Sequence, residues 1–211
     1  MNGKLLSLMM TTIMIASALA GCAGDDVDLD GEDGGYEYAS NVDNHRMLMG
    51  DVCDIKDLSG AYDWDEVSDI YENGKYAEKS DGSYRTLEGF ASASGKNHAY
   101  DTYYGSDGSW DTFVSAAISG TGPFAGESNT VRDQAVEKGI QNGVMTAYAI
   151  HELNAAIIKA EAGNWGADDA QHAWDEGWAF FHGPDDSDHD FDGCGPYATA
   201  DKRAGNFGTA N

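Results

Sequence analysis

A chain of 211 residues that sets 37 acidic against 12 basic side chains, for a formal charge of −25, repels nucleic acid and anionic lipid and concentrates cations. Surface carboxylates also serve as salt adaptation, so acidity by itself names no function.

The N-terminus carries one cation, Lys4, then a largely apolar run from Leu5 to Ala20 that ends in Leu19-Ala20-Gly21-Cys22. That order reads as a charged region, a short apolar region and a lipobox, so residues 1–21 are expected to be a cleavable signal peptide and Cys22 the lipidated first residue. The run is shorter than the roughly 20 residues a spanning helix needs. The expected protein is therefore exported and lipid-anchored, at the outer membrane and periplasm or the cell surface. Removing the signal takes away Lys4 and no acid, which moves −25 to −26. Cys53 and Cys194 remain, and an oxidising compartment favours their disulfide.

Residues 22–44 are rich in Asp, Gly, Glu and Ser and read as an acidic flexible linker, with the domain covering 45–211. Within the linker, Asp26, Asp28, Asp30, Gly31 and Glu37 match the formal spacing of a calcium loop, but Asp33 stands where an aliphatic residue normally anchors it. The later run Asp188, Asp190, Asp192, Gly193 imitates half of such a loop, with Thr199 in place of the bidentate Glu. Calcium at these acidic loops stays open.

Asp63 is expected to cap a helix carrying Trp64, Val67, Ile70 and Tyr71, stopped by Asn73-Gly74. Residues 80–108 read as loop around one short turn at Leu87–Ala91. A helix follows over Ser109–Ser119, then a break at Gly120–Gly126 and a long helix from about Thr130 to Ala162. Gly139, Gly143 and Ala147 give that helix a smooth strip for close packing. Gly163-Asn164 ends it, and a last helix covers about Ala167–Phe181. Strand patterns are scarce, so the expected fold is mainly α, a single-domain helical bundle with long irregular loops.

If the helices flanking Gly163-Asn164 form an antiparallel hairpin, positions summing to about 327 face each other. His151 then lies opposite Glu176 and Glu152 opposite Asp175, with His172 one turn before Glu176. Imidazoles and carboxylates drawn from facing helices suit iron, manganese or zinc. His151 can equally be a hydrogen-bonded core histidine, and Asp175-Glu176 a solvated edge. The zincin pattern fails, because Ala155 occupies the second histidine position.

The blocks IYENGK at 70–75, RTLEGFA at 85–91, HEL at 151–153, HAWDEGWAFFHG at 172–183 and PYATADKRAGNFGT at 196–209 resemble the algal iron-assimilation proteins, also described as low-iron-inducible or high-carbon-dioxide-inducible periplasmic proteins, and their bacterial relatives. The resemblance implies a helical, non-enzymatic protein that captures extracytoplasmic iron for uptake, handing it to a transporter the sequence does not identify. It implies His151, Glu152, Asp175 and Glu176 as metal ligands, Glu72 reaching in from the first helix, His172 as a ligand or its support, and Arg85 as a candidate for holding an anion such as bicarbonate. The relatives continue past the ADKRAGNFGT block, so either a short variant or a missing C-terminal part is expected. Two rival readings remain: a metal-dependent hydrolase or oxidase using the same cluster, and a calcium-dependent surface interaction module.

Overall fold

The computed structural model describes residues 32–96, 98–185, 191 and 193–209. Two short strands, β1 (Glu32–Asp33) and β2 (Tyr36–Glu37), pair antiparallel. Helices follow: α1 (Asp43–Arg46), α2 (Leu48–Ala61), α3 (Trp64–Asn73), α4 (Leu87–Ser92), α5 (Ala99–Tyr104), α6 (Ser109–Ser119), α7 (Asn129–Lys138), α8 (Met145–Glu161), α9 (Ala170–His182) and α10 (Pro196–Phe207). The domain is mainly α-helical, and no helix among the described residues is long and apolar enough to cross a membrane. The signal peptide, Cys22, the first calcium-like loop up to Gly31, and Asp188, Asp190 and Asp192 lie outside the described residues.

Local chemistry sets several boundaries. The Asp63 carboxylate accepts from Glu66 N to start α3, and Gly74, at φ +71°, ends it. Thr86 and Ser128 cap α4 and α7 in the same way. The long helix runs from Asn129 to Glu161, but its middle, Gly139–Val144, widens into a π-helical segment that the residue pattern did not announce. The glycine strip explains the neighbour it meets there. A Cβ at Gly143 would stand 2.5 Å from the Trp110 ring, and one at Gly139 would stand 3.0 Å from Val114, so α6 packs directly on this backbone.

The core joins Leu48, Val67, Tyr71, Val114, Val144 and Phe180 from successive helices. The residue pattern does not announce α2 or α10, and α5 falls in the stretch expected to be loop. The sequence of α2 shows no amphipathic stripe because Leu48, Met49, Gly50, Asp51, Val52 and Cys53 are all buried at the centre of the bundle. The short α5 and the polar α10 bury too little to leave a pattern, with Asp101 alone buried on the first and Pro196 alone on the second. Cys53 and Cys194 are bonded, with Cα atoms 5.2 Å apart, and the bridge ties α2 to the segment before α10.

The linker reading is corrected for residues 32–44. Asp33 is fully buried and its two oxygens take the Arg46 guanidinium, Nε at 2.7 Å and Nη2 at 2.7 Å. A bidentate buried pair of this kind needs excellent geometry to repay desolvation. The Tyr38 hydroxyl and the Asp185 amide add further hydrogen bonds to the same carboxylate. The folded domain therefore includes this hairpin, and composition concealed it because its few buried side chains are polar.

Candidate metal centre

Helices α8 and α9 pack as the antiparallel hairpin expected, closed near its turn by Lys159 Nζ on the Asp169 carbonyl at 3.3 Å. Their close approach depends on Gly177, where a Cβ would stand 2.8 Å from Leu153. The register differs slightly from the count. Glu176 faces Glu152, within hydrogen-bonding reach, rather than His151. One residue turns a helix by about 100°, so bringing Glu152 to the interface carries His151 away from it.

The side chains that meet are His45, His172, Glu152 and Glu176. His45 Nε2 stands 3.1 Å and His172 Nε2 3.2 Å from the same oxygen, Glu176 Oε1. His45 belongs to α1, beside the buried Phe180 ring at 5.5 Å between centroids, and the sequence reading did not select it. No spacing motif connects it to the hairpin. Burial, with Arg85 and His172 nearby, holds the His45 imidazole well below its usual range, so it is neutral. Its buried Nδ1 has no hydrogen-bond partner among the described residues.

Glu176 is raised above the ordinary carboxylate range by burial and by the charge of Glu152, against the opposing pull of His172 and Arg85. Two carboxylates at one place resist losing both protons unless a cation stands between them.

Asp175, expected as a ligand, serves a different purpose. It is fully buried, and it accepts from the Tyr36 hydroxyl at 2.6 Å, Ala39 N at 3.1 Å, Ser40 N at 2.8 Å and the Ser40 hydroxyl at 2.7 Å. Both oxygens are committed, so it is corrected from ligand to support. Because Ser40 gives its proton to Asp175, its oxygen accepts from His172 Nδ1 at 2.8 Å. That contact holds the ring from behind and turns Nε2 toward Glu176 Oε1 at 3.2 Å.

The other expected residues scatter. His151 turns toward the loop before α5, with Nδ1 3.2 Å from the Lys96 carbonyl and Nε2 3.3 Å from Lys96 Nζ, though it remains 3.7 Å from Glu152. Glu72 is exposed on α3 and accepts from Ser68 at 2.8 Å, so it does not reach the cluster. Arg85 does belong to it. Its Nε donates to Asn44 at 2.8 Å, and it feels the charges of Glu176 and Glu152.

A cavity of about 430 Å3 opens over the cluster. Its lining includes His45, Glu152 and Glu176, the cations Lys79, Arg85 and Lys96, and the rings of Tyr148, Phe180 and Phe90, the last packed edge to face on the other two. Two imidazole nitrogens and two carboxylates are the donor set that suits iron, manganese or zinc. In this geometry both imidazoles converge on one carboxylate oxygen, and no group of three or more His, Cys, Asp or Glu side chains among the described residues is placed to hold a metal ion.

A family model described as low iron-inducible periplasmic protein matches residues 9–199 of the chain. No curated protein and no solved structure matches it.

Proposed function

The chain belongs to the family of low iron-inducible periplasmic proteins, and from that premise we propose that it captures iron outside the cytoplasm and holds it for uptake. The observation that carries this reading is the meeting of His45 Nε2 and His172 Nε2 on Glu176 Oε1 at the wall of an open cavity. His45, His172, Glu176 and Glu152 are the proposed ligands. The chain from Asp175 through Ser40 to His172 supports them, since an imidazole whose far nitrogen is held presents the other at fixed orientation. A lipid on Cys22 is the proposed tether, keeping the captured metal beside a membrane transporter.

Dialysis of the purified mature protein against ferrous iron under nitrogen, followed by elemental analysis, tests the reading. Occupancy near one ion per chain is expected, with at least about a tenfold loss of affinity in Glu176→Gln. Equal occupancy in wild type and variant would remove the proposed ligands.

A further inference from the structure

The cavity over the cluster is much larger than an ion needs. At about 30 Å3 per water, its roughly 430 Å3 exceeds what a metal and its few remaining waters fill, and it falls in the size range of small-molecule sites. Its charge is also out of character. Lysine and arginine number 12 against 37 acids, yet Lys79, Arg85 and Lys96 line this one cavity.

Of the eight other described lysines and arginines four pair with a carboxylate, and what sets these three apart is that they share one cavity. Arg46, Lys56, Lys75 and Lys138 each contact a carboxylate. Arg85 is half-buried and its one side-chain partner is the neutral Asn44, while Lys96 meets His151 and the face of Tyr148. None of the three has an ion pair within 4.0 Å among the described residues. A guanidinium withdrawn from water without an anion is costly. In so acidic a chain, three cations kept clear of carboxylate contact leave their charge for an anion that arrives from outside.

Side chains that can hold a cation, His45, Glu152 and Glu176, and side chains that can hold an anion, Lys79, Arg85 and Lys96, therefore line one space. We propose that the cargo of this site is not bare iron but iron complexed by a small hydroxy-polycarboxylate of the citrate class, metal toward Glu176 and chelator carboxylates toward Arg85 and the two lysines. The proposal rests on the iron-capture reading and specifies its substrate. Such a ligand matches the cavity in size and in its opposed charges. The chelator's own oxygens would fill part of the metal's coordination, so fewer protein donors are needed.

The test is equilibrium dialysis of the full mature protein with ferric citrate carrying separate radiolabels on iron and on citrate. Both labels are expected to be retained together in constant ratio, with affinity falling at least tenfold in Arg85→Gln and less in Arg85→Lys, which keeps the charge. Lys79→Gln with Lys96→Gln provides a second variant should Arg85→Gln misfold, and it too is expected to weaken retention of the citrate label. Retention of iron without citrate overturns the chelate proposal and leaves iron capture standing. Exchange of citrate for carbonate or phosphate at the site, read as iron retained only when those anions are present, also overturns it. Retention of neither label, together with no ferrous binding, overturns both readings.

Discussion

His172 and Glu176 lie one helical turn apart on α9 and meet at 3.2 Å, but what makes the contact chemically specific comes from elsewhere in the chain. Ser40, from the segment ahead of α1, holds His172 Nδ1 at 2.8 Å and donates a hydrogen bond to Asp175. The imidazole is thus oriented from behind, and His45 adds a second nitrogen to the same carboxylate oxygen at 3.1 Å. The donor cluster is assembled from the α8–α9 hairpin and the N-terminal segment together.

The two histidines nearest Glu152 and Glu176 in the sequence-based and structural readings make opposite predictions. His45→Ala is expected to weaken ferrous iron binding by at least about tenfold, the scale on which ligand-shell changes act. His151→Ala, which removes a contact to Lys96, is expected to leave ferrous affinity much closer to wild type. Titration of both variants under nitrogen reads the difference, and a larger loss in His151→Ala would refute the assignment of His45.

Asp175 is expected to matter first for stability. Its removal in Asp175→Ala strands the amides of Ala39 and Ser40 and the Tyr36 hydroxyl in a part-buried region. Unsatisfied donors of this kind cost about 1–3 kcal/mol each where water cannot reach them. A loss of about 3 kcal/mol in urea denaturation is expected, and a change below about 1 kcal/mol would show that the N-terminal hairpin is not held this way.

Asp51 gives a pH prediction away from the metal centre. It is fully buried on α2 and accepts from Tyr76 N at 3.1 Å, and its Oδ2 has no hydrogen-bond partner among the described residues. Burial pushes its carboxyl up to about 7 from an ordinary 3.8, against the opposing pull of the Tyr76 and Lys75 amides. The folded state therefore binds a proton that the unfolded chain releases between those values. The stability tied to that proton is complete below about 4 and is lost as pH rises through about 7. At roughly 1.4 kcal/mol per pH unit, the span is at most about 4 kcal/mol. Asp51→Asn should flatten this dependence, so melting temperatures of wild type and variant should diverge from pH 4 to pH 8 in the variant's favour. Parallel curves would exclude the assignment.

The Cys53–Cys194 bridge closes a sequence separation of 141 residues. In the chain-entropy model such a cross-link restricts the unfolded state by about 4–5 kcal/mol. Reduction, or Cys53→Ser with Cys194→Ser, should lower the melting temperature markedly under otherwise equal conditions. An unchanged melt would show that the reduced chain keeps the same contacts at no cost.

What the residues alone determined is the part governed by local rules. The caps at Asp63 and Gly74, the helix Ser109–Ser119, the long helix and the hairpin after Gly163 all follow from capping chemistry and the 3.6-residue period, which act over a few neighbours. The residue pattern also named Glu152, His172 and Glu176, and the family resemblance named Arg85, all of which the fold brings to one place. Only the tertiary structure decided which partners complete the cluster. A difference of one position in helix register sends Glu152 inward and His151 outward, and no local pattern encodes that rotation. His45, Ser40 and the buried Asp33–Arg46 pair lie in a stretch whose composition reads as linker, because polar side chains that bury against one another look, one at a time, like polar side chains in water.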